Sequence, residues 1–131
     1  MSCRTYEHTR AWKAALMLIT HVYRLTQGYP AEEKSGLAGG MRKAMTTVPV
    51  KLAQAWEQED YAQASAAVNA AQALLRDCLV QAQVSQHLAI ITRHQLTDLR
   101  KRIARTSHSL DAFLDDLFED DAQDQTLADA A

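Results

Sequence analysis

The sequence predicts an all-α fold: an antiparallel up-down four-helix bundle whose second helix is kinked by a proline. Three observations lead there. Apolar residues make up 47% of the 131-residue chain, while glycines number four and prolines two, a composition that disfavours disordered, collagen-like and β-rich designs. Apolar positions recur at spacings of three and four through four separate stretches, the signature of amphipathic helices. The length suits one domain with a modest core and is too small for two.

The first helix is expected from about Glu7 to Thr26, with Trp12, Ala15, Leu16, Ile19, Val22, Tyr23 and Thr26 on one face. Ala11, Leu18 and Leu25 widen that face to roughly half of the cylinder at 100° per residue, leaving Arg10, Lys13, His21 and Arg24 for water. So wide an apolar arc fits either a deeply buried helix or one whose flank, Ala11, Leu18 and Leu25, meets another subunit. "QGYPAEEKSG" then stops the helix, and Glu32 and Glu33 favour the positive end of a new one.

Helix two begins there or just after "GLAGG". Leu37, Met41, Ala44, Val48, Leu52 and Ala55 keep helical register straight through Pro49. Proline removes an amide and crowds the preceding turn, so a kink or restart is expected, with Thr46 and Thr47 able to return hydrogen bonds to the disturbed backbone. Helix three, about Tyr61 to Gln83, is rich in alanine, with Leu74, Leu75, Cys78 and Leu79 as its bulk. A break at "VSQH" leads to helix four. There Leu96, Leu99, Ile103, Thr106, Leu110, Phe113 and Leu117 form a heptad-like seam. The bundle is thus expected over residues 1–117, and residues 118–131 as an acidic, disordered tail.

The net charge of −2 hides a division. From Asp111 onward there are eight acids and no bases, whereas the preceding residues hold all fourteen Lys and Arg against eight acids, a net of +6. Cys3 and Cys78 lie far apart, so no disulfide framework or CxxC metal site can be read, and a reducing cytoplasm fits. Neither an export signal nor a membrane span is visible in the sequence.

A search for chemistry finds little. His8, His21, His87, His94 and His108 include no HExxH pattern and no tight pair, so no metal site is expected. Ser107 and Ser109 adjoin His108, but neighbours on a helix point apart. "GLAGG" lacks the lysine and strand of a phosphate loop. Glu57, Glu59 and Asp60 read as a cap for helix three. No cofactor and no small-molecule substrate are expected, and an enzyme is the least supported class.

The order of the pieces, "AWKAALMLITHVYRLTQGYPAEEKSGLAGGMRKAMTTVPVKLAQAW", resembles the four-helix-bundle proteins encoded in intervening sequences of bacterial 23S ribosomal RNA genes. That family also includes the accessory variability proteins of diversity-generating retroelements. The resemblance rests on Trp12; on Tyr23, Leu25 and Thr26; on Tyr29, Pro30 and Glu33; on Gly36 and Leu37; on Arg42, Lys43 and Ala44; and on Thr47, Val48 and Pro49. It covers about Tyr6 to Leu117. The chain departs from the pattern at Gly40, where the family has glutamine, and at "KLAQA", Lys51 to Ala55, where it has Asn-Ile-Ala-Glu-Gly. The resemblance implies a homo-oligomer, with a pentameric ring the leading form, no catalytic activity, and a reverse transcriptase as a possible partner.

The residues themselves offer one candidate site. At 100° per residue, Arg93, Arg100, Lys101 and Arg105 fall opposite the seam of helix four, with Arg102 at the margin and only Asp98 nearby. Such a face, repeated around a ring, can hold a polyanion, RNA or DNA. Trp56 and Tyr61 can stack on bases or belong to the core. Two readings follow: an oligomeric nucleic-acid-binding protein, or a protein-interaction scaffold whose wide helix-one face and acidic tail meet partners while the basic face is merely solvated.

Overall fold

The computed structural model describes the backbone of residues 6–130 and the side chains of residues 6–118. After a single 3-10 turn at Tyr6–His8 come four helices: α1 (Arg10–Gln27), α2 (Leu37–Trp56), α3 (Tyr61–His87) and α4 (Arg93–Ala130), with a second 3-10 turn at Ala31–Glu33 between the first two. No strand occurs among the described residues. The all-helical, four-helix expectation therefore holds. Cys3 lies outside the described residues.

Each helix begins where its sequence supplies a partner for free amides. Thr9 caps α1, its Oγ1 accepting from the Trp12 amide at 3.2 Å. Glu33 Oε1 accepts from the Leu37 amide at 3.3 Å at the start of α2. Asp60 caps α3 through the Ala62 amide at 3.2 Å, so of the acidic cluster Asp60 is the residue that caps that helix, while Glu57 closes α2. Thr92 and Gln95 form a reciprocal box ahead of α4, with Thr92 N–H donating to Gln95 Oε1 at 2.8 Å and Gln95 N–H to Thr92 Oγ1 at 3.0 Å.

Pro49 is buried within α2, which runs on through it with no restart. Thr46 Oγ1 donates to the Arg42 carbonyl at 3.0 Å and Thr47 Oγ1 to that of Lys43 at 2.7 Å. The carbonyl that the proline ring crowds is that of Met45, four residues before it, so these bonds fall in the preceding turn and do not go to the disturbed backbone as expected.

Two boundaries differ from expectation. "VSQH" belongs to α3, which ends instead at Leu88 in a Schellman turn. There the Ala89 amide donates to Gln86 at 2.9 Å, the Ile90 amide donates to Ser85 at 2.8 Å, and Ala89 sits at φ 61°. No residue of "VSQH" breaks a helix, whereas the left-handed residue at 89 does. Likewise α4 does not stop at Leu117. With no glycine or proline after Arg93 to end it, the helix carries the acidic segment on to Ala130.

One core joins all four helices: Ala15, Leu18 and Val22 from α1, Met41, Met45, Val48 and Leu52 from α2, Val68, Leu75 and Cys78 from α3, and Leu99, Leu110 and Phe113 from α4. The most extensive packing is between α2 and α3, where small side chains allow close approach. A Cβ on Gly40 would collide with the Gln81 amide oxygen on α3. Pairs between α3 and α4 run in opposite senses. Tyr61 meets Phe118 with ring centroids 5.1 Å apart, while Gln72, farther along α3, donates from Nε2 to the carbonyl of Ser107, farther back on α4, at 2.9 Å.

The expected subunit flank is corrected here. Ala11 is 1% exposed and Leu18 3%, both within the bundle core, and Leu25 is half-buried against it. The side chains left outside are Leu16, Met17 and Tyr23. The arc was wide because it spans both positions, and periodicity alone centred it about one residue too far toward Leu16 and Tyr23.

Candidate cationic surface of α1 and α4

Arg42 fixes how α1 sits on the bundle. Its Nε donates to Thr26 Oγ1 at 2.7 Å, its second terminal nitrogen donates to the Tyr23 carbonyl at 3.2 Å, and its guanidinium lies 4.4 Å from the Tyr23 ring centroid. A cation at the carboxyl end of α1 also complements the helix dipole. Nearby, the buried Tyr29 hydroxyl donates to Met41 Sδ at 3.4 Å. The spaced residues that carry the family resemblance thus build one corner between α1 and α2.

With α1 so held, its cationic edge lies along α4. His21 Nε2 is 3.5 Å from Asp98 Oδ2, and Arg102 Nε donates to the same oxygen at 3.0 Å. Partial burial, the Arg102 charge beside it and Arg24 beyond hold the His21 pKa below the ordinary 6.5, against the opposing pull of Asp98. The hydrogen bond from Arg102 is the main reason that the partly exposed Asp98 titrates below the usual carboxylate range. These are the ion pairs among the described residues.

Beside them runs a groove of about 160 Å³ lined by Ala14, Met17 and Leu18 of α1 and Arg102, Arg105 and Thr106 of α4. Arg10, Lys13, Met17, His21 and Arg24 share one edge of α1 at helical spacing. Arg10, Lys13 and Arg24 are exposed.

Of the sequence-derived residues, Arg93, Arg100, Lys101 and Arg105 are all exposed, but they do not form one patch. Arg105 faces α1 with Arg102. Ser107 and Asp111 face α3 through Gln72, and at 100° per residue Arg93 and Arg100 fall on that flank with them. Lys101 lies between, so the four spread over about 140° of the helix surface. The cations of α1 were missed as part of the site because one helix projected alone gives no sign of its neighbour. The signal available was their own alignment along a single edge.

Other candidates resolve into structure. Trp56 packs on Phe113 at 5.8 Å between centroids. Ser107 Oγ donates to Gln72 Oε1 at 2.6 Å and Ser109 Oγ to the Arg105 carbonyl at 3.2 Å, so both hydroxyls are engaged. Burial pushes the Cys78 thiol up to about 12, far from a reactive thiolate. No helix among the described residues is long and apolar enough to cross a membrane.

Fold and surface together define a small helical bundle that joins its helices through a fixed α1–α2 corner and presents a cationic edge on α1 and α4. Residues 7–112 match the family described as 23S rRNA-intervening sequence protein, and the chain belongs to that family. No curated protein matches the chain closely enough to count as a relative.

Proposed function

We propose that the protein is a non-enzymatic, oligomeric, nucleic-acid-binding bundle, with RNA the favoured ligand and a reverse transcriptase a candidate partner. The observation that carries this reading is the side-by-side placement of Arg10, Lys13 and Arg24 with Arg102 and Arg105, of which Arg102 is paired with Asp98 and Arg105 has no ion-pair partner among the described residues. Cations on two adjacent helices can follow a phosphate backbone, and each phosphate neutralised releases counterions. Such a surface has little means of reading base edges, so weak sequence preference follows.

A homo-oligomer, with a pentamer the leading form, remains part of this proposal. Its contacts are reassigned to exposed apolar side chains on different sides of the bundle: Leu16 and Tyr23 on α1, and Val80, Val84 and Leu88 on α3. Unlike patches that meet head to tail generate closed rings. Native mass spectrometry showing a monomer at micromolar concentration would sink that part.

The nucleic-acid reading is tested by titrating single-stranded RNA across a salt series. The slope of log affinity against log salt should reach roughly 0.7 to 0.9 per phosphate contacted. Changing Lys13 and Arg105 together to glutamine should lower both affinity and slope while the helices persist. Unchanged affinity and slope would leave that face merely solvated and favour the scaffold reading, which the exposed Val80, Val84 and Leu88 support.

A further inference from the structure

The α1–α4 groove combines two chemistries. Its floor is Ala14, Met17 and Leu18, and its far wall carries the guanidinium groups of Arg102 and Arg105. Met17 is 70% exposed, a long, adaptable apolar side chain left uncovered beside cations. Among the described residues Arg102 shares Asp98 with His21, and Arg105 has no carboxylate partner. A ligand suited to this groove carries an apolar group with negative charges about one helical turn away.

The chain encodes such a ligand. From Glu119 onward it holds five acids, no bases and one large apolar residue, Leu127. Asp120, Asp124 and Leu127 recur at i, i+4 and i+7, the spacing of one helical face. We propose that the groove seats the acidic carboxyl-terminal segment, residues 119–130, of a second copy of this chain.

A molecule's own segment is out of reach. Because α4 is one helix from Arg93 to Ala130, Glu119 lies about 21 Å along the axis from Arg105 and Ala130 about 37 Å, at about 1.5 Å per residue. Every residue moves farther from the groove. A second copy brings its acids to Arg102 and Arg105, with Lys13 and Arg10 alongside, and places Leu127 on Met17. The charge division of the sequence becomes complementarity between copies, which orients their encounter. The contact joins unlike surfaces, so it can be exchanged reciprocally in a pair or passed around a ring. The proposal needs no nucleic acid and stands apart from that reading.

Carbodiimide coupling of the full chain tests it. Arg105→Lys keeps the charge and supplies an amine, and an equal mixture of nitrogen-14 and nitrogen-15 chains distinguishes links within a copy from links between copies. Mixed-isotope links from position 105 to residues 119–130 are expected. Adding Leu127→Asp should reduce their yield about tenfold, the loss of roughly one buried apolar contact. Single-isotope links alone would show the segment folding back on its own groove and overturn the proposal. No link to residues 119–130 would also overturn it, including the case in which poly(U) binds and thereby claims the groove for nucleic acid. An undiminished yield with Leu127→Asp would remove the apolar seat and, with it, this assignment.

Discussion

Replacing Ala89 by glycine should stabilise the protein. Ala89 adopts φ 61° at the point where α3 ends, and the two hydrogen bonds of the Schellman turn, Ala89 to Gln86 and Ile90 to Ser85, depend on that conformation. A side chain with a Cβ in the left-handed region costs about 1–2 kcal/mol. Ala89 is exposed, so deleting its methyl sacrifices no core packing. Against the relief stands the extra freedom glycine gives the unfolded chain, about 0.4–1 kcal/mol. The net gain should be about 0.5–1 kcal/mol, or about 2–5 °C in Tm for a domain of this size. Thermal melts followed by circular dichroism at one fixed protein concentration would measure it, since assembly makes Tm concentration-dependent. Ala89→Val, whose branched Cβ tolerates positive φ poorly, should move Tm the other way. If Ala89→Gly leaves Tm unchanged or lowers it, the strained-turn account of the α3 end is wrong.

Three further outcomes follow from the same structure. Arg42→Lys loses the fork that holds Thr26 and Tyr23 together and should cost about 1–2 kcal/mol in urea unfolding, although the charge is kept. His21 has a folded pKa below 6.5, so between that value and 6.5 the unfolded chain binds more protons. Stability should therefore fall as pH drops through that window, and His21→Gln should flatten this part of the profile. Deleting Glu119 to Ala131 should tighten RNA binding at low salt, because five acids no longer compete for the cations; no change on deletion would reduce the segment to a solubility device.

Periodicity located the helices well because burial on one face writes itself into the spacing of apolar residues. It could not say which edge of a wide stripe points inward. On α1 the stripe includes Ala11, Leu18 and Leu25 along with Leu16 and Tyr23, and only the neighbours α2 and α4 decide that the first group turns in. The end of α3 was misplaced because Ala89 carries no mark of a left-handed residue; glycine there would have announced it. The start of α4 was legible and overlooked, since Thr92 and Gln95 stand at the spacing of a capping box. The cationic site was half legible. Arg105 could be placed on the outside of α4 from spacing, but its junction with Met17 and the α1 cations exists only once two helices are laid side by side.

The residues behind the family resemblance explain why that junction is so placed. Tyr23, Thr26 and Arg42 clamp α1 to α2, Tyr29 reaches Met41, Glu33 caps α2, and Thr47 donates to the Lys43 carbonyl within α2. These contacts lie within and between α1 and α2, so the pattern describes a corner of the bundle. By fixing the roll of α1, the corner decides which of its edges lies along α4, and that edge carries Arg10, Lys13, Met17, His21 and Arg24. None of these five belongs to the pattern. On the proposed reading the binding surface and the corner are separate sets of residues, and Arg42→Lys offers the means to see the separation. If the corner governs the surface only through the roll of α1, that variant should loosen polyanion binding along with stability, although Arg42 lies on the opposite side of α1 from the groove. Unaltered binding in a destabilised variant would show that the α4 cations suffice without those of α1.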